Sequence, residues 1–169
     1  MTDQCPIKLN PELDLVLERV VDVPVELVWK AWTVPRHLMR WFTPAPWKTV
    51  DCKIDLRPGG LFYTVMESPE GEKFPGSGCY LEIVENKKLV WTDAMVQDYR
   101  PAQQPNDCID SFFTAQLFLE SQGNSTKYTA IALHSRPEQR QAHEEKGFHD
   151  GWGAALDQLV DNIRQGNIQ

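Results

Sequence analysis

The 169-residue sequence has no apolar run that approaches the ~20 residues of a membrane-spanning helix. Its first residues, MTDQCPIKLNPELD, lack the basic and apolar regions of a signal peptide, so we expect a cytoplasmic protein without a membrane partner. Lys and Arg are scarce, 17 against 24 Asp and Glu, and the net charge of -7 argues against a nucleic-acid partner. These absences leave a soluble, acidic globular protein whose length suits one domain.

Cysteine is also sparse, and its spacing excludes the common cysteine sites. The four cysteines form no CxxC pair, which argues against a zinc knuckle or a thioredoxin motif: Cys5, Cys52, Cys79 and Cys108. In the segment HEEKGFH, His143 and His149 are six residues apart, whereas two zinc ligands on one helix must be four apart. We therefore expect reduced thiols, no metal and no cofactor.

Most of the chain shows the alternating pattern of β-strands. LDLVLERVV (13–21) alternates apolar and polar residues, and two short helices follow it in PVELVWKAWT and PRHLMRWF. Residues 49–134 then contain several strand-like runs separated by turns such as Pro58-Gly59-Gly60, while the polar, proline-containing stretch 97–110 is predicted to be a long loop. The pattern predicts about seven strands in a mostly antiparallel meander.

The C-terminal segment predicts a long amphipathic helix. Ser135 to Glu138 has the spacing of a capping box with Pro137 at the first helical position, and the helix could run for about 28 residues to Gly166. On a helical wheel, His143 points away from the sheet, whereas Glu145 lies within the apolar sector and His149 lies at the edge of that sector. That sector is formed by Phe148, Trp152, Ala155, Leu156, Leu159 and Ile163.

Three separated motifs resemble one known family. VDVPVELVWKAWTVPRHLMRWF, RPGGLFYTVMESPEGEKFPGSGCYLEIVENKKLVWTDA and GFHDGWGAALDQL are similar to bacterial relatives of the Aha-type activator of a heat-shock chaperone ATPase, which belong to the START-like superfamily. The resemblance implies an α+β helix-grip fold, in which a curved antiparallel sheet wraps around the long C-terminal helix. It also implies a cavity between the two, within a single domain of residues 13–166 that follows a tail of residues 1–12. It carries over no catalytic residues, since this fold hosts carriers, cyclases and co-chaperones alike.

Aromatic and ionisable residues are the candidates for lining such a cavity. The strand that contains Trp91 also carries Asp93 on the same face, and an inward Asp93 would need a partner, although the opposite parity would leave it in water. Glu145 and His149, spaced i and i+4, could form an acid–base pair over the cavity or a solvated ion pair. The predicted ligand-binding residues are Trp41, Phe62, Trp91, Asp93, Phe113, Glu145, His149 and Trp152.

Two structural expectations accompany these residues. His134, at the end of a strand, is expected to tie that strand to the last helix. Gly147, Gly151 and Gly153 each cost a helix about 1 kcal/mol relative to alanine, so we expect close packing of the helix on the sheet to offset the cost, with room for a ligand as the alternative.

The leading functional hypothesis is a protein that binds a small hydrophobic or aromatic ligand. A cyclase, dehydratase or hydrolase that uses Glu145 or His149 is the enzymatic alternative. A stress-related chaperone partner, by resemblance, and a homodimer are both left open by the sequence.

Overall fold

The computed structural model describes residues 7–105 and 111–169, in which nine strands and four helices follow one another. In chain order these elements are β1 (Asp14–Val21), α1 (Val25–Thr33), α2 (Pro35–Leu38), β2 (Lys48–Ile54), β3 (Leu61–Glu67), β4 (Lys73–Val84), β5 (Lys88–Thr92), β6 (Met95–Val96), β7 (Arg100–Pro101), β8 (Thr114–Gln122), β9 (Ser125–Leu133), α3 (Pro137–Glu145) and α4 (Phe148–Arg164).

Seven of the strands form one sheet in the order β1-β9-β8-β5-β4-β3-β2, and every neighbouring pair is antiparallel. This confirms the predicted α+β class with a seven-stranded antiparallel sheet. The alternation on β8 shows why the pattern was informative: Ala115, Leu117 and Leu119 are buried in the core, and the residues between them are more exposed.

Helix α4 closes the open face of this sheet. Its buried side chains recur at helical spacing, as the wheel predicted, and Leu156 and Leu159 are almost completely inaccessible. Helices α1 and α2 cover the neighbouring part of the sheet, where Val28 and Leu38 are fully buried. The predicted ligand site would therefore lie between the sheet on one side and α1, α2 and α4 on the other.

The single helix predicted from Pro137 to Gly166 is wrong in its extent. It breaks at Gly147, whose φ of +96° is left-handed and is readily adopted by glycine. The amide of Gly147 donates to the Glu144 carbonyl and closes α3, while the amide of Gly151 donates to the Gly147 carbonyl and begins α4. The predicted capping box is also absent, because Arg136 is the N-cap residue and Ser135 Oγ donates to Gln139 Oε1 instead.

The predicted loop at 97–110 is partly structured. Strands β6 and β7 pair with each other around a turn at Gln97–Tyr99, and residues 106–110 lie outside the described residues. Residues 1–6 of the predicted tail lie outside them as well, as do Cys5 and Cys108. Within the described residues, no helix combines the length and the apolar character needed to cross a bilayer.

Candidate ligand site

Aromatic rings from five parts of the chain meet between the sheet and the helices. We call this group the inner cluster: Trp32, Trp41, Phe42, Phe62, Tyr80 and Trp91. Trp32 of α1 lies 4.8 Å from Trp41 and 5.1 Å from Trp91, measured between ring centroids. Edge-to-face geometries dominate, as favoured by the charge distribution of aromatic rings.

The strand register explains how the sheet contributes to this cluster. Tyr80 on β4 is paired directly with Trp91 on β5, so both rings project from the same face of the sheet. Trp41 follows α2, is 2% exposed, and donates its indole N–H to the Ala31 carbonyl over 3.0 Å. The structure thus brings together three of the residues predicted to bind a ligand, Trp41, Phe62 and Trp91, while their binding role stays a prediction.

The inner cluster contains two buried polar groups without a hydrogen-bond partner among the described residues, the Trp32 indole N–H and the Tyr80 hydroxyl. Tyr80 is completely buried, and its hydroxyl has no hydrogen-bond partner among the described residues. Burial raises its pKa well above the usual range, and burial raises the pKa of the Cys52 thiol to about 12, so both groups are neutral. An unpaired buried hydroxyl costs about 1–3 kcal/mol. Sequence analysis missed Tyr80, because alternation predicts that a tyrosine is buried but not whether its hydroxyl is paired.

A second group of rings, the corner cluster, lies where α3 meets α4: Phe113, His134, His143, Phe148 and Trp152. Phe113 is central to it, 5.0 Å from the His143 ring and 6.2 Å from Trp152. Of the residues predicted to bind a ligand, Phe113 and Trp152 lie here and are only partly buried.

Two histidines in the corner cluster share a hydrogen bond. His134 Nε2 lies 2.9 Å from His143 Nδ1, and His134 Nδ1 lies 2.8 Å from the Leu13 carbonyl. Because a carbonyl only accepts, His134 carries its proton on Nδ1, so in the neutral pair His143 donates from Nδ1 to His134 Nε2. Burial lowers the pKa of both rings, that of His143 to about 4. This bond confirms the prediction that His134 ties its strand to a helix.

Asp93 lies just beyond the end of β5 and is 7% exposed, so it is buried and does not lie in water. Its Oδ1 accepts the amide N–H of Phe113 over 2.9 Å. Burial raises the pKa of this carboxyl to about 6, with the backbone hydrogen bonds opposing the shift. Asp93 is therefore a buried acid that titrates near neutral pH.

Glu145 and His149 do not face the interior, contrary to the wheel. Both are exposed: Glu145 accepts a hydrogen bond from Gln141 Nε2, and His149 Nε2 lies 3.4 Å from Glu144 Oε1. The prediction that His143 points away is wrong too, since His143 is only 4% exposed. A single helical wheel assumes one continuous helix. The break at Gly147 interrupts the helix, so residues before and after it no longer keep the angular positions that one wheel assigns to them. The proposed acid–base pair therefore does not line the space between sheet and helix.

Close packing does not explain the glycines of the last helices. A Cβ on Gly151 would meet no atom within 4 Å, and one on Gly153 would meet only Arg19 Nη2 at 3.9 Å. Gly147 is explained by its left-handed backbone instead. The expectation of close packing is wrong, and α4 has free space beside Gly151.

Chemically, the inner cluster offers aromatic walls and the neutral hydroxyl of Tyr80, next to the neutral thiol of Cys52. Among the described residues, no three His, Cys, Asp or Glu side chains are grouped so as to hold a metal ion. Cys52 and Cys79 are free and buried. An arrangement of this kind is suited to binding an apolar molecule and orienting it through a few hydrogen bonds.

Comparisons with known proteins agree with this architecture. The sequence model of a family described as activator of Hsp90 ATPase homolog 1-like protein matches residues 22–164. A solved structure from Nitrosomonas europaea is 50% identical, with a TM-score of 0.87, and the match covers 94% of this chain and 99% of that one. No curated protein matches the chain.

Two more distant structures share the fold. A protein from Arthrobacter aurescens is 26% identical with a TM-score of 0.77, over 91% of this chain and 87% of its own. One from Rhodobacter sphaeroides is 19% identical with a TM-score of 0.79, over 94% and 97%, and at that identity it shows the fold alone.

Proposed function

Because the chain belongs to the activator of Hsp90 ATPase homolog 1-like family, a group with a START-like architecture, we propose that it binds a small hydrophobic or aromatic ligand between the sheet and α4. The fold by itself does not select this function, since the same architecture serves several activities. The proposal rests on the residues of the inner cluster.

The observation that carries the proposal is the unpaired Tyr80 hydroxyl within an aromatic wall. A buried polar group without a partner is costly and rare, so it calls for an explanation. A ligand that accepts a hydrogen bond from Tyr80 would remove that cost while its apolar part contacts Phe62 and Trp91. The ligand class is then a neutral, planar or apolar molecule that carries one acceptor such as a carbonyl.

Free space along α4 supports the same proposal. Gly151 leaves room on one flank of the helix, and Trp152 next to it is only partly buried. A helix with this freedom can shift by the small amount needed to admit a ligand into a core that side chains now occupy. Asp93 and Trp152 lie toward the corner cluster and would contact the part of the ligand nearest that end.

Fluorescence titration with prodan, a neutral naphthalene dye with a ketone acceptor, tests the proposal. We expect the wild-type protein to bind prodan and Tyr80→Phe to bind it about tenfold more weakly, the effect of losing one hydrogen bond worth about 1.4 kcal/mol. Tyr63→Phe on β3 is the matched control, because Tyr63 lies outside the inner cluster and Lys53 Nζ lies 5.4 Å from its ring centre. Equal weakening by both substitutions would remove the role of Tyr80, and no binding by the wild type would refute the proposed ligand class.

The family description supports a second candidate, activation of a chaperone ATPase. This activity would use an exterior surface, so Tyr80→Phe would leave it unchanged. Adding the protein to a purified Hsp90-type chaperone should then raise the rate of ATP hydrolysis. An unchanged rate would eliminate this candidate and leave ligand binding unaffected.

A further inference from the structure

Helix α3 is attached to the rest of the molecule in an unusual way. Its sequence, PEQRQAHEE, is almost entirely polar, and His143 is its one buried residue. That residue is held by the hydrogen bond to His134 and by ring contacts with Phe113, Phe148 and Trp152. Among the contacts between described residues, the docking of these nine residues depends mainly on one side chain.

The other polar contacts of α3 do little to hold it down. Arg140 pairs with Glu144, and Gln141 with Glu145, so both pairs lie within the helix itself. His149 makes the longer 3.4 Å contact from α4 to Glu144. A surface cleft of about 570 Å³ lies between α3 and the residues before β1, so this flank of the helix is not packed.

Both ends of α3 can act as hinges. Gly147 joins it to α4 in a left-handed conformation, and Arg136 precedes it in an extended conformation without a side-chain cap. A glycine at this position allows large backbone changes at low cost. Rotation about these two points would move α3 as a unit.

We propose that α3 is a hinged flap over the corner cluster, closed by the His134–His143 hydrogen bond and released when acidification protonates that pair. The flap would regulate access to the ligand site, so this inference rests on the proposed function. When α3 is released, Phe113 and Trp152 at the end of the space between sheet and helix become accessible.

The surroundings of the pair favour its release by acid. Burial disfavours charge on both rings, Lys146 disfavours it further on His143 and Arg140 on His134. The hydrogen bond to the Leu13 carbonyl and the carboxylate of Asp14 act in the opposite direction on His134. The facing side chains from the residue before β8 and from α4 are the uncharged rings of Phe113, Phe148 and Trp152. The nearest buried acid, Asp93, is bonded to the Phe113 amide instead of to either ring. Two protonated rings would place two N–H groups against each other, and the bond would be lost.

Hydrogen–deuterium exchange of residues 137–145 tests the flap directly, with exchange corrected for intrinsic rates. If the pKa of His143 is about 4 when closed and about 6.5 when open, the opening equilibrium should rise about 30-fold between pH 7.5 and pH 5. His143→Asn, which can still donate to His134 but does not titrate, should show a much smaller rise. His149→Gln removes the contact of α4 with Glu144, which protonation of His149 would strengthen, so this variant should show a rise at least as large as that of the wild type.

An equal rise in the wild type and in His143→Asn would overturn the proposal, as would constant protection across this pH range. His143→Phe provides a second non-titrating variant in case the asparagine destabilises the corner cluster. Stopped-flow mixing with prodan then separates the two proposals. Faster association at pH 5 supports the flap as a gate. An exchange rise without any prodan binding keeps the flap and refutes the ligand class.

Discussion

Replacing Asp93 with asparagine should expose a pH dependence of stability that the wild-type protein conceals. The carboxyl of Asp93 has its pKa raised by burial from 3.8 to about 6, so the folded state binds its proton more tightly than the unfolded state does. Its contribution to stability is therefore greatest at low pH and is lost as the pH rises from about 4 to about 6.

His143 acts in the opposite direction. Burial lowers the pKa of its imidazole from 6.5 to about 4, so the unfolded state binds the proton more tightly. Its contribution is fully present above about pH 6.5 and is lost as the pH falls toward 4. Each pKa unit corresponds to 1.36 kcal/mol, so both groups change the unfolding free energy by about 3 kcal/mol, with opposite signs over nearly the same range.

In the wild type the two contributions should nearly cancel between pH 4 and pH 6. Asp93→Asn keeps an oxygen that can accept from the Phe113 amide but removes the titration. We expect the variant to match the wild type at pH 4 and to exceed it by up to about 3 kcal/mol at pH 7. Urea unfolding, followed by tryptophan fluorescence at several pH values, gives the free energy of unfolding of both proteins. The contributions of the other titrating groups cancel in the difference between the variant and the wild type.

Asp161→Asn is the matched control, because Asp161 is exposed on α4, and its effect should stay within about 0.5 kcal/mol at every pH. The reasoning is refuted if Asp93→Asn destabilises the protein by the same amount at pH 4 and pH 7. That result would mean that the carboxylate is better satisfied at neutral pH than its burial indicates.

Two further stability predictions concern the core and the last helices. Tyr80→Phe removes an unpaired hydroxyl, so the free energy of unfolding without ligand should rise by about 1–3 kcal/mol, and a clear loss would show that the hydroxyl has a partner. Gly147→Ala should cost about 1–2 kcal/mol because alanine disfavours a left-handed backbone, whereas Gly151→Ala should stabilise by about 0.5–1 kcal/mol in open space. Equal effects of the two alanines in urea unfolding would contradict the assigned break between α3 and α4.

Much of the fold was predictable because its signals are local. Alternation along residues 13–21 predicted strand β1, and helical spacing placed Leu156 and Leu159 on the buried face of the last helix. The break at Gly147 was not predictable from spacing, since polar α3 and amphipathic α4 together still resemble one helix. The spacing of residues does not indicate whether the φ angle of one residue, here Gly147, is positive or negative. Because that φ is positive, the helix breaks, His143 is buried and Glu145 is exposed, which is the opposite of what was expected.

What the sequence by itself determined was the class of the molecule: an acidic α+β chain whose aromatic residues lie on the inner faces of strands and helices. These properties depend on patterns over a few neighbouring residues. Only the tertiary structure decided that Asp93 is buried, that His134 meets His143, and that the Tyr80 hydroxyl is unpaired. Each of these features depends on which distant segments of the chain come into contact. Whether two groups form a hydrogen bond depends on differences in distance of a few tenths of an ångström, which no local sequence pattern specifies.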